Sequence, residues 1–128
     1  GVEYYNDSKG TNPDSTIKAI EAMPKKTILI AGGYDKHSEF DGFIDAFGGK
    51  VKLMVLIGTT APQIEKTARA HGFDNIINTD SLENAVQICH DNAVSGDVVL
   101  LSPACASWDM FKSYEERGRL FKEYVNRF

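Results

Sequence analysis

Three largely apolar runs constrain this chain more than anything else in it. They are Thr27–Ala31 (TILIA), residues 51–57 (VKLMVLI) and Val98–Leu101 (VVLL). A half-exposed strand alternates apolar with polar residues, whereas a short run that is apolar at successive positions reads as a strand covered on both faces, the pattern of parallel sheets. Residues 2–5 and Ile76-Ile77 add two briefer strand signals. Between the strands lie stretches with apolar residues at helical spacing: Ile17, Ala19, Ile20 and Met23; Phe40, Phe43, Ile44 and Phe47; Leu82, Ala85, Val86, Ile88 and Cys89. The punctuation agrees. Asn12 or Asp14 caps the first helix with Pro13 in its first turn, and Pro24 ends it. Gly48-Gly49 stops the second helix, and Gly72 closes the third, expected over residues 61–71. Asp80 and Glu83 have capping-box spacing before the fourth. A last helix carries Tyr114, Phe121, Tyr124 and Val125, with Asp109 available to cap it.

Strand and helix alternate with short connections. That order predicts an α/β fold: a Rossmann-like, doubly wound, mainly parallel sheet of about six strands with helices on both faces. With 128 residues the chain fits one domain with a real core. Its 42% hydrophobic and 25% charged content excludes disordered and fibrous classes. The net charge is −4 and no Lys/Arg cluster stands out, so a nucleic-acid surface is not expected. No apolar run reaches membrane-spanning length, and no membrane contact is expected. The chain opens at Gly1 almost directly on a strand, which predicts a domain cut from a longer protein. Cys89 and Cys105 stand outside any Cys-x-x-Cys pair and without a His cluster, so no metal site is predicted. They read as reduced thiols, Cys89 on a buried helix face, in a cytoplasmic protein.

In a parallel sheet, binding groups collect past the carboxyl ends of the strands. Three polar stretches fall at such ends: residues 6–12 (NDSKGTN), 32–36 (GGYDK) and 100–111 (LLSPACASWDMF). In the first, Lys9, Thr11 and a helix amino terminus favour an anion, although the same residues suit a solvated, capped loop. It is not a phosphate-binding P-loop, because G-x-x-x-x-G-K-[ST] occurs nowhere. In the second, the glycines allow close backbone approach and Lys36 offers a cation, or the stretch is a plain turn with a surface lysine. His37 beside it reads as exposed. In the third, Ser102, Cys105 and Ser107 invite a nucleophile reading, which the missing G-x-S-x-G and the lack of a facing histidine oppose. Pro103, Ala104 and Ala106 are small enough for a ligand to lie against backbone, and Trp108 either packs in the core or covers a ligand. Arg117 and Arg119 fit a solvated helix face.

Taken together, NDSKGTN, GGYDK followed by Phe40, and LLSPACASWDMFKSYEERGRLF resemble the C-terminal domain of the Mur ligase family, most nearly its D-glutamate-adding members. The resemblance covers essentially all of residues 1–128. It implies that the UDP-binding N-terminal domain and the central ATPase domain lie outside this chain. It also implies a reaction in which ATP phosphorylates the terminal carboxylate of UDP-N-acetylmuramoyl-L-alanine and the amine of D-glutamate attacks the acyl phosphate. By motif position, Lys36 and Thr11 would hold the α-carboxylate of D-glutamate, and Ser107, Trp108 and Tyr114 would line its side-chain end. Lys9 would face the transferred phosphate and Asp7 the nucleotide. ATP and Mg2+ would be bound mainly by the central domain. Trp108 stands where the family commonly has an aliphatic residue, and Tyr114 where it has Phe. Two other readings stay open beside this one: a stand-alone module binding a nucleotide or amino acid, and a sister ligase with another acceptor.

Overall fold

β2 (Thr27–Ala31) is buried at all five positions, β3 (Val51–Leu56) at all but Lys52, and β5 (Val98–Leu101) throughout, as strands covered on both faces must be. Around these lie β1 (Glu3–Asn6), α1 (Pro13–Ala22), α2 (Asp41–Asp45), α3 (Ala61–Ala70), β4 (Ile76–Asn78), α4 (Leu82–Asn92) and α5 (Tyr114–Val125). The computed structural model describes residues 1–34, 38–107 and 109–128. The strands form one sheet in the order β1-β5-β2-β3-β4, and every neighbouring pair is parallel. Among the described residues the sheet has five strands rather than about six. A further extended pairing, Tyr34 with Ala106, is a single antiparallel bridge among the described residues.

Alternate residues of each central strand feed two separate cores. Leu29, Ala31, Met54, Leu56 and Leu100 pack with Ile20 of α1, Phe43 of α2 and Ile64 of α3. Ile28, Ile30, Leu53, Val55, Val99 and Leu101 pack with Val86 and Cys89 of α4 and Phe121 of α5. Three helices therefore cover one face and two the other, as a doubly wound sheet requires. Truncating Leu56 or Leu29, both wholly buried, is expected to cost about 2–5 kcal/mol. Among the described residues no helix is long and apolar enough to cross a membrane.

Helix ends show where local signals were ambiguous. Asn12, not Asp14, caps α1, its side chain accepting from Ser15 N–H at 3.0 Å with Pro13 next in line. Ser81 caps α4 by accepting from Asn84 N–H at 3.1 Å. Asp80, expected in that role, instead accepts from the Asn84 side chain. Ser113 caps α5 by accepting from Glu116 N–H at 3.1 Å, which leaves Asp109 free for another contact. α2 is shorter than its four spaced apolar residues suggest. Phe47 N–H turns back to Ile44 O, and Gly48 and Gly49 follow at φ +53° and +77°, a region that ends helices. Phe40, Phe43, Phe47 and Phe73 nevertheless form a run of edge-to-face rings with centroids 6.1, 5.2 and 4.9 Å apart.

Candidate functional site

Because all strands run parallel, the loops after β1, β2, β3 and β5 emerge at one edge of the sheet. β5 lies between β1 and β2, so the chain doubles back there, and a crevice opens where strand order reverses. The described parts of the three polar stretches read from the sequence meet at this edge. A fourth, Gly58-Thr59-Thr60 after β3, joins them.

The loops after β2 and β5 are zipped together. Gly32 N–H donates to Pro103 O at 2.9 Å, and Tyr34 and Ala106 exchange two backbone hydrogen bonds of 2.8 Å. Gly32 sits at φ +105°, and a Cβ there would lie 2.0 Å from Ile57 O, so only glycine fits. The loop after β3 is stitched to both. Thr59 and Thr60 hydroxyls donate to Gly33 O at 3.0 and 3.1 Å, Gly33 N–H donates to Thr60 Oγ1 at 3.0 Å, and Thr60 Oγ1 lies 3.4 Å from Cys105 Sγ. Asp109 reaches across to accept from Thr59 N–H at 2.9 Å.

The loop after β1 extends its strand by one bond, Asp7 N–H to Leu101 O at 2.7 Å. Ser102, wholly buried, donates from Oγ to Asp7 Oδ2 at 2.7 Å and lies 2.9 Å from Thr16 Oγ1. Asn6 donates to Gly118 O at 2.9 Å and accepts from Ser8 N–H at 3.2 Å. Arg117 is only 1% exposed, so it is not part of a solvated helix face. Its guanidinium donates to Ser8 Oγ, Ser8 O and Cys105 O. Burial pulls its pKa down to about 10, against the negative charges of Asp109 and Asp7, so it stays protonated at neutral pH.

Two adjoining cavities open on this edge. One, of about 460 Å³, is lined by Thr11, Ser107, Lys112, Ser113, Tyr114 and Glu115. The other, of about 450 Å³, is lined by Asp7, Lys9, Tyr114, Arg119 and Lys122, among others. Tyr114, 37% exposed, lines both. The sequence-predicted residues thus divide: Thr11, Ser107 and Tyr114 come together on the first cavity, Asp7 and Lys9 on the second. Lys36 and Trp108, like His37, lie outside the described residues. The first cavity combines hydroxyls with Lys112 and with the first turn of α5, whose leading N–H groups have no intrahelical acceptor. Such a donor set suits a carboxylate. The second carries the cations Lys9, Lys122 and Arg119, the last shared with Glu123 at 2.9 Å, together with the carboxylates of Asp7 and Glu115.

Sequence reasoning missed Lys112, Arg117, Asp109 and Thr60. For Arg117 a signal existed. It stands four residues before Phe121 and eight before Val125, on the apolar stripe of α5.

Residues 1–105 match the family model described as Mur ligase, glutamate ligase domain. The chain is 65% identical over 126 residues to UDP-N-acetylmuramoylalanine–D-glutamate ligase of Lachnospira eligens, covering 98% of this chain and 28% of that protein. It is 59% identical over 127 residues to the enzyme of the same name from Thermoanaerobacter pseudethanolicus, with the same coverage. It therefore spans a little over a quarter of the length of these curated relatives. Among solved structures, a bifunctional folylpolyglutamate synthase/dihydrofolate synthase from Yersinia pestis superposes with a TM-score of 0.60 at 12% identity, over 90% of this chain and 27% of that one. A MurF ligase from Thermotoga maritima does so with a TM-score of 0.54 at 20% identity, over 100% and 30%. At these identities the likeness is one of fold. With the family model matched across most of its length, this chain belongs to the Mur ligase family, and the match is to its glutamate ligase domain.

Proposed function

We propose that this chain is the C-terminal, amino-acid-binding domain of an ATP-dependent ligase that adds D-glutamate to UDP-N-acetylmuramoyl-L-alanine. The observation that carries the reading is the pairing of two cavities across Tyr114, one lined by hydroxyls and Lys112 and the other by Asp7, Lys9, Arg119 and Lys122. The names of the relatives support D-glutamate as the acceptor. In the reaction, a carboxylate oxygen of the UDP-linked substrate attacks the γ-phosphorus of ATP and ADP leaves. The amine of D-glutamate then attacks the acyl carbon, and inorganic phosphate leaves as the amide forms.

The chain's own residues have defined work in this scheme. Thr11 and Lys36 hold the α-carboxylate of D-glutamate, a hydroxyl and a cation against one charge. Ser107 and the amino end of α5 at Tyr114 receive the side-chain carboxylate, with Trp108 beside it. The helix dipole adds to the hydroxyl there. Lys9 faces the transferred phosphoryl group and Asp7 the nucleotide, which the cations of the second cavity fit. Mg2+ and most of the ATP contacts fall to the central domain of the parent protein. The isolated chain is expected to fold and bind D-glutamate weakly without turnover, because the complete site needs a second domain to close on it.

The test is phosphate release by the full-length gene product with ATP, Mg2+ and UDP-N-acetylmuramoyl-L-alanine. D-glutamate is compared with L-glutamate, L-lysine and diaminopimelate. Release with D-glutamate alone is expected, and Lys36→Ala should raise the KM for it. Release with another amino acid would keep a ligase and overturn the acceptor. No release with any of them would favour a binding module.

A further inference from the structure

Among the described charged residues Arg117 stands out because it is almost wholly buried and its guanidinium donates to neutral acceptors. Nε donates to Ser8 Oγ at 3.0 Å, Nη2 to Ser8 O at 2.6 Å, and Nη1 to Cys105 O at 3.1 Å. A buried cation held this way is a poor device for stability, since an apolar side chain of similar volume fills the same space without the desolvation cost. What the three bonds do is fix geometry. Ser8 lies between Asp7 and Lys9, which line the second cavity, and Cys105 immediately precedes Ala106 and Ser107, which line the first. Ser8 Oγ also donates to Tyr114 O at 2.6 Å, so the same hydroxyl anchors the residue that walls both cavities. Gly118, next to Arg117, lets the helix come this close: a Cβ there would lie 3.1 Å from Ser8 Cβ.

We propose that Arg117 is a positioning residue that sets the separation of the two cavities. Resting on the reading given under Proposed function, it holds an acyl phosphate, its phosphoryl group at Lys9, with the acyl carbon within reach of the α-amine of a D-glutamate whose side-chain carboxylate lies at Ser107. Only a planar guanidinium meets three acceptors on two loops at once, and a lysine ammonium on a flexible stem does not reproduce the fork. Because reaction between two bound groups depends steeply on their relative placement, loosening the fork affects rate more than fold.

The experiment uses the full-length protein with Arg117→Lys, Arg117→Gln, Ser8→Ala and the Arg117→Lys/Ser8→Ala double variant. Kinetics are expressed per folded molecule, and backbone amide exchange is followed at Lys9 and Ser107 relative to β2 and β3. Arg117→Lys is expected to lower kcat by about 10- to 100-fold, to raise the KM for both ATP and D-glutamate, and to speed exchange at Lys9 and Ser107 only. Ser8→Ala keeps the two carbonyl acceptors, so it should show a smaller loss of the same kind, and the double variant should be no worse than Arg117→Lys. A merely structural arginine would lower the unfolding temperature and leave kcat and both KM values, per folded molecule, within about twofold of wild type. That result would overturn the proposal. Should the Arg117 variants not fold, wild-type kinetics and wild-type exchange at Lys9 in Ser8→Ala would overturn it equally. A parent protein that does not turn over D-glutamate would sink the functional reading instead, and the exchange measurements would still decide the role of Arg117.

Discussion

Ser102 Oγ donates to the carboxylate of Asp7 across 2.7 Å, joining the loop after β5 to the loop after β1. The hydroxyl is wholly buried, and its neighbour Thr16 stays occupied by donating to Ser102 O at 3.1 Å. Asp7 is thus held by a side chain that faces no ligand. Ser102→Ala is expected to destabilise by about 1–3 kcal/mol, the usual cost of removing a bond to a charged partner. On the function proposed above, the full-length protein with this change should show a raised KM for ATP and a KM for D-glutamate near wild type. Equal changes in both would show that Asp7 does not serve the nucleotide side alone.

Gly10 occupies the space beside that bond. A Cβ there would lie 2.6 Å from Ser102 Oγ and 2.9 Å from Asp7 Oδ2. Gly10→Ala should therefore displace one of the two partners and cost about 1–3 kcal/mol, the range for overpacking. The effect should shrink in a Ser102→Ala background, where the nearest clashing atom is gone. Urea denaturation of the four members of this cycle gives the coupling energy. Strict additivity would mean that the two sites do not share the contact.

Cys89 packs against the sheet on α4, and burial pushes its thiol up to about 12. A thiol that is neutral and sterically covered does not react as a nucleophile. Native protein at pH 8 is expected to resist alkylation at Cys89 for hours. Modification should appear with the rate of global unfolding as urea is added, followed by mass spectrometry. Fast labelling in native buffer would show that α4 detaches on its own.

The parallel sheet was legible because continuous apolar runs leave few alternatives, and the three polar loops because each followed a strand signal. Less legible was everything set by contacts between distant residues. Asp109 looked like a cap for α5, yet Ser113 takes that place and Asp109 goes to Thr59 N–H. Locally, both acids and hydroxyls accept from free N–H groups, so the sequence does not choose between them. Arg117 looked solvated because isolated arginines usually are. Its burial depends on Ser8 and Cys105, residues brought to α5 only by the pairing of β1 with β5. Thr60 has no local signal, because its hydroxyl ties the loops after β2 and β5 together only once the sheet has formed.

His71 follows α3 with both ring nitrogens against carboxylates, Nε2 2.8 Å from Asp41 Oδ1 and Nδ1 2.8 Å from Asp45 Oδ1. Neutral imidazole has one N–H, so only the imidazolium satisfies both acids. These bonds, Asp41 first and Asp45 second, hold its pKa above the ordinary 6.5. Arg69, nearby on α3, is taken up by Glu65 and Asp74 and does not compete for them. Since the folded-state pKa is the raised one, the clasp contributes its full stabilisation below pH 6.5 and loses it as pH rises through the folded value. The clasp pins α2 to α3. Wild-type protein is expected to lose denaturant resistance relative to His71→Gln as pH is raised from 6 through the alkaline side of neutrality, while the two converge at high pH. An NMR titration of the His71 ring should give a pKa above that of a free imidazole side chain. A ring that titrates at or below 6.5, or a variant with the wild-type pH slope, would show that the carboxylates do not hold the charged form.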